Sequence, residues 1–203
     1  MSASPTDFDD EAWVSVESRA SLAQARRLCD SVERLFRINP YLEIQSWQER
    51  DADGCRVSLR NLSNGQAQTL VFRVSRPAED KILLSYETGL KRESRIELEP
   101  FEHGSRVKIT DDYSGRPVTE RHARVSEVDH SLTAWGHALR GYLERERRFG
   151  RIALWRWFLD RVWLRMKPSA RRISVVVTLL TLAELVLVVL VALVYWLESS
   201  ALS

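Results

Sequence analysis

The 203-residue chain has little of several things that would point quickly to an activity. It has two cysteines, Cys29 and Cys55, far apart and in no CxxC or CxxH pattern, so a spacing-based zinc site is excluded and free thiols are expected. Its four histidines, His103, His122, His130 and His137, form no HExxH pattern and read as exposed or capping residues. There is no GxSxG elbow, no P-loop and no dinucleotide fingerprint, and GHALRG (136–141) interrupts a helical apolar face, so it is not a phosphate loop. The opening MSASPTDFDDEAW has neither a basic region nor an apolar core, so no signal peptide is expected. Net charge is only +2, too little for a strongly basic nucleic-acid binder. No cofactor, metal or nucleic acid is therefore expected.

That small net charge hides three different regions. Residues 1–144 hold 20 Lys and Arg against 24 Asp and Glu, a balance of −4. Residues 145–172 hold 10 against 2, or +8, and residues 173–203 hold none against 2, or −2. Within the last region, 173–197 reads ISVVVTLLTLAELVLVVLVALVYWL, apolar on every side with one ionisable group, Glu184. At about 1.5 Å per residue this run is about 37 Å long, enough to cross a bilayer core of about 30 Å. A single transmembrane helix close to the C-terminus is expected, a tail-anchored arrangement with 198–203 as a short tail. Arg161, Arg165, Lys167, Arg171 and Arg172 precede the span, so the N-terminal domain is expected in the cytoplasm. Ser174, Thr178, Thr181 and Glu184 share one side of the helix. Three readings stand: a protonated Glu184 bonded to its own backbone; Thr178, Thr181 and Glu184 contacting another transmembrane helix, of a second copy or of a partner; or a proton-relay role for Glu184.

Residues 149–172 form a basic, aromatic juxtamembrane stretch. In RIALWRWFLDRVWLRMK, positions Ile152, Trp155, Leu159, Val162, Trp163 and Met166 recur at spacings of three and four. An amphipathic helix in the headgroup layer is expected, with membrane lipid as partner. Its interface residues would be Arg151, Trp155, Arg156, Trp157, Arg161, Trp163, Arg165, Lys167, Arg171 and Arg172. The plainer alternative is a helix packed on the soluble domain. Pro168 separates the stretch from the span and allows a bend.

The first 11 residues read as disordered, and 12–148 as one domain. WVSVES (13–18) alternates as a strand. SLAQ (21–24) and DSVE (30–33) carry capping-box spacing, so two short helices follow, the second stopped by Asn39-Pro40. Six alternating segments come next. Their expected inward sets are Leu42, Ile44 and Ser46; Cys55, Val57 and Leu59; Leu70, Phe72 and Val74; Ile82, Leu84 and Tyr86; Ile96 and Leu98; Val107, Ile109 and Asp111. DADG, SNGQ, RPAED, TGLKRE and EHGS supply the turns. After Pro117, residues Val125, Val128, Leu132, Trp135, Leu139 and Tyr142 mark one face of a long helix.

The order β-α-α-β-β-β-β-β-β-α resembles the helix-grip fold of the START-like (SRPBCC) superfamily. That superfamily includes polyketide cyclase/dehydrase-like and coenzyme Q-binding proteins. WVSVES, SLAQARRLCDSVERLFRINP and GSRVKITDDYSG (104–115) carry the resemblance, which covers about residues 12–148. It implies an α+β domain whose curved antiparallel sheet wraps a long C-terminal helix around an apolar cavity. It also implies a hydrophobic ligand of lipid, quinone or isoprenoid type, or a cyclase-type reaction, or a regulatory role. Cavity candidates are Leu70, Phe72, Leu84, Tyr86, Ile96, Ile109, Asp111, Leu132 and Trp135. Three functional expectations follow: a membrane-tethered binder of a hydrophobic molecule, a non-catalytic accessory or assembly subunit of a membrane complex, and an aromatase/cyclase-type enzyme. The last would need Asp111, Tyr86 and Tyr113 to converge in a roomy cavity.

Overall fold

The computed structural model describes residues 11–114 and 131–201. Residues 1–10, and with them nearly all of the segment expected to be disordered, lie outside the described residues, as do Val125, Val128, His122 and His130. The chain divides into two units, residues 1–165 and 166–203.

In the first unit, β1 (Glu11–Ser18) is followed by α1 (Leu22–Cys29) and α2 (Val32–Ile38). Six strands follow: β2 (Leu42–Glu49), β3 (Gly54–Asn61), β4 (Ala67–Ala78), β5 (Lys81–Tyr86), β6 (Glu93–Phe101) and β7 (Gly104–Asp112). The unit closes with α3 (Leu132–Phe149), α4 (Ala153–Arg161) and a 3-10 turn at Trp163–Arg165. The sheet order is β1-β7-β6-β5-β4-β3-β2, with every pair antiparallel. The two helices between β1 and β2 carry the chain from one edge strand to the other, and α3 packs on β1, α1 and α2. This is the helix-grip arrangement.

Local chemistry sets the elements. Ser21 and Gln24 form a reciprocal capping box at the start of α1. α2 is capped by Ser31, whose hydroxyl accepts from the Arg34 N–H, so the cap falls one residue after the expected Asp30. Asn39 ends α2 and donates through Nδ2 to the Ser131 hydroxyl at 2.7 Å, tying α2 to the start of α3 inside the core. The predicted inward sets hold along β3 to β7. β2 departs from its predicted pattern. Ile44 pairs with Leu59 and Ser46 with Ser58, leaving Gln45 as an extra residue. This bulge reverses the alternation, so Trp47, expected outside, pairs with the inward Val57 and joins the core.

α3 comes very close to the sheet at Gly136. A Cβ there would sit 2.6 Å from Val14 Cγ2 and 3.0 Å from Val16 Cγ1. In an exposed helix, alanine in place of glycine stabilises by about 0.8–1 kcal/mol. Here the helix would have to lift from β1, at a cost of about 1–3 kcal/mol. Gly136→Ala is therefore expected to lower the unfolding free energy of the full chain in detergent. An unchanged or raised midpoint in denaturant would show that the contact is loose.

The basic stretch 151–167 is not one helix. Val162 (φ −112°, ψ −66°) ends α4, and the 3-10 turn brings Leu164 into the core. The second unit is one helix, α5 (Pro168–Ala201), with Pro168 as its first residue. Its segment Pro168–Leu193 is long and apolar enough to cross a membrane and has no buried face within the unit.

Candidate functional site

The space between the sheet and α3 is nearly filled. Phe36 of α2 stacks on Phe72 of β4 (ring centroids 5.5 Å apart, planes 8° apart) and meets Trp47 and Trp135 edge-on at 5.6 and 6.0 Å. Phe72 in turn touches Tyr86 at 5.5 Å. Trp135 donates its indole N–H to the Leu35 carbonyl at 2.9 Å, which fixes its ring against α2. What remains is a cavity of about 40 Å³, room for about one water. Its lining mixes the apolar Phe36, Leu42, Leu59, Leu70 and Trp135 with the polar Asn61, Gln68, Tyr86, Thr88, Lys91 and Tyr113.

Of the predicted cavity residues, Leu70, Tyr86 and Trp135 line this space. Phe72, Leu84, Ile96, Ile109 and Leu132 are buried in packed core. Asp111 is fully buried just behind the cavity wall and belongs to a chain of polar contacts that ends at the cavity. Ser94 donates its hydroxyl to Asp111 Oδ1 at 2.5 Å. Having spent its proton there, Ser94 accepts from the Tyr86 hydroxyl at 3.2 Å. Lys91 Nζ lies 2.6 Å from Asp111 Oδ2, with the lysine side chain only 19% exposed. Gly89, at φ +100°, makes the turn that returns Leu90 and Lys91 toward the sheet. Tyr86 and Asp111 are therefore linked through Ser94, Tyr113 lines the same cavity as Tyr86, and Lys91 and Ser94, absent from the sequence-based set, join them. The condition of two ionisable groups at a cavity is met, while the roomy cavity that a cyclase needs is not present in this conformation.

Other chemistry is quiet. Burial pushes the Cys29 thiol up to about 12 and raises that of Cys55, so neither is an activated nucleophile. Burial likewise raises the Tyr142 phenol to about 12. No group of metal-ligating side chains is present among the described residues, and His103 and His137 are exposed. A surface groove of about 660 Å³ runs past Asp30, Glu33, Glu49, Asp51 and Asp53, and a second of about 520 Å³ past Arg19, Arg140, Arg147 and Arg148.

The expected interface residues divide. Trp155 and Trp163 are half-buried against the domain core, whereas Arg151, Arg156, Trp157, Arg161 and Arg165 are exposed. In the second unit Lys167 and Arg172 are exposed, and Arg171 donates to the Met166 carbonyl at 3.0 Å. Thr178 and Thr181 donate to the carbonyls of Ser174 and Val177, one turn back, so their protons are used within the helix. Glu184 is exposed on the helix surface.

No protein-family model matches the chain, and no curated protein matches it significantly. Solved structures do. A START superfamily protein from Mycobacterium smegmatis superposes with a TM-score of 0.50 at 20% identity, over 66% of this chain and 97% of that one. A protein from Nitrosomonas europaea superposes with a TM-score of 0.51 at 13% identity, over 70% and 99%. The likeness is one of fold.

Two stability predictions follow from this geometry. Phe36→Ala removes the ring that closes the cavity and is expected to cost about 3–5 kcal/mol. Chemical denaturation measures it, and a loss below about 1 kcal/mol would show that α2 collapses onto the space. Asp111→Ala breaks the buried end of this pair and is expected to cost about 3–5 kcal/mol, whereas Lys91→Met with Asp111→Leu is expected near neutral. Equal losses in the two variants would mean that the pair itself holds the sheet together.

Proposed function

We propose that this START-like domain binds a hydrophobic molecule of lipid, quinone or isoprenoid type at a membrane face, held there by α5 as a single-pass anchor with the domain in the cytoplasm. The observation that carries this reading is the Tyr86–Ser94–Asp111–Lys91 chain, buried at Ser94 and Asp111, beside a cavity with a partly apolar lining. A core that needed only packing gains nothing from a buried ion pair, since apolar side chains of the same volume do as well or better. A ligand with an apolar body and one hydrogen-bonding end fits such a mixed lining. Binding requires the space to widen from about 40 Å³, and Phe36 on the short helix α2 is the side chain in the way.

The second reading, an accessory subunit of a membrane complex, draws support from that same small volume. In it the domain is a packed scaffold, and α5 docks on another membrane helix through Glu184.

The two readings separate on one preparation. The full chain, purified in mild detergent and extracted with organic solvent, is expected to yield one apolar species in near-stoichiometric amount by mass spectrometry. The Lys91→Met/Asp111→Leu variant, folded but without the ion pair, is expected to lose it. A wild-type extract holding only the detergent and bulk lipid also found with the variant would reject the binder. Recovery of a protein partner that Glu184→Leu abolishes would then establish the scaffold. For orientation, an N-terminal tag is expected to resist protease in intact cells and to be cut in inverted vesicles.

A further inference from the structure

Helix α4 is apolar on two opposite faces. At about 100° per residue, Trp155 and Leu159 face the domain, and Trp157 stands opposite them with Leu154 and Arg161 beside it. Leu154 is 72% exposed, Trp157 57% and Ile152 53%. Among the described residues of the first unit, seven large apolar side chains are exposed, and five of them fall between Phe149 and Phe158. The outward face of a helix on a soluble domain is normally polar. A concentrated apolar strip marks a surface that something covers.

Charge and chain length identify the cover. Arg151, Arg156, Arg161 and Arg165 surround the strip and have no ion-pair partner among the described residues, while Asp160, the one acid of α4, is engaged with Arg34 at 3.4 Å. An aromatic strip ringed by unpaired guanidiniums suits the headgroup layer of an anionic bilayer, where rings sit at the interface and arginines meet phosphates. Six residues lie between Arg161 and Pro168, so Arg161 stands at most about 25 Å from the start of α5. However the two units are arranged, a spanning α5 keeps the C-terminal end of the strip within reach of the membrane.

We infer that Ile152, Leu154, Trp157 and Phe158 insert into the interfacial layer of an anionic bilayer, with Arg151, Arg156 and Arg161 on lipid phosphates. The inserting set shares only Ile152 with the three-four stripe of the sequence, because the domain takes Trp155 and Leu159 for itself. The inference rests on the reading that α5 spans the membrane.

The full chain carrying Cys29→Ala and Cys55→Ala, with one nitroxide label, tests it in nanodiscs of phosphatidylcholine with about one-third phosphatidylglycerol. Labels at Trp157→Cys and Leu154→Cys are expected to gain oxygen collisions and to lose nickel-chelate collisions at least about threefold relative to a label at Gln48→Cys on exposed β2. Nickel access equal to that at Gln48 overturns the inference, and so does shielding from both reagents, which would mean that a protein surface covers the strip. A label at Val186→Cys separates the premises. Lipid-like access there with aqueous access at 157 rejects only the strip, whereas aqueous access at 186 rejects the span. Without any label, brominated phosphatidylglycerol is expected to quench less of the emission in Trp157→Phe than in the unsubstituted chain, and equal quenching counts against insertion.

Discussion

The stacking of Phe36 on Phe72 is the contact on which the interior of the domain depends. Phe36 belongs to a seven-residue helix too short to hold itself together in water. It is held by its neighbours: Asn39 reaches the start of α3, and Trp135 reaches back to the Leu35 carbonyl. Sheet, α2 and α3 thus meet at one aromatic knot, and the knot decides how much space the helix-grip encloses. Widening the cavity means displacing α2, and each of those hydrogen bonds contributes about 0.5–1.5 kcal/mol against it. A ligand that brings its own apolar surface replaces the lost ring contacts.

The second constraint is electrostatic. Asp111 lies on the inward face of β7, where burial alone would favour a neutral side chain. Lys91 and Ser94 offset that, and their arrangement depends on a turn that only a glycine enters without strain at position 89. The pair is costly to half-remove and cheap to replace whole.

Much of the fold was legible in the sequence, because its strands alternate cleanly and charge one face. The capping box at Ser21 and the Leu132–Trp135–Leu139–Tyr142 face were readable for the same reason: local periodicity reports local geometry. What was hidden depends on tertiary context. The bulge at Gln45 carries no glycine or proline to announce it, so Trp47 was assigned to the wrong face. Lys91 sits in TGLKRE, where a charged residue reads as solvated, and nothing local shows that the turn folds inward. Phe36 was not singled out by the sequence pattern, although it lines the cavity and stacks on Phe72. In 151–167 the three-four spacing runs across a helix and a 3-10 turn: Trp155, Leu159 and Trp163 turn to the domain, whereas Ile152 is exposed. Spacing identifies a face without saying what covers it.

The exposed apolar strip of α4 and the Phe36 ring lie on neighbouring elements. α2 carries Phe36, and it also packs against the 3-10 turn that follows α4. The visible polar link between α2 and α4 is Arg34–Asp160, at 3.4 Å with both side chains partly exposed. Such pairs contribute only about 0–1 kcal/mol. Leu159 and Leu164 are fully enclosed, and each buried leucine contributes about 1.5–3 kcal/mol. The attachment of α4 to the domain is therefore mainly apolar. It persists at ionic strengths that screen exposed charge pairs such as Arg34–Asp160. Salt would then act on such pairs while leaving α4 seated on the core.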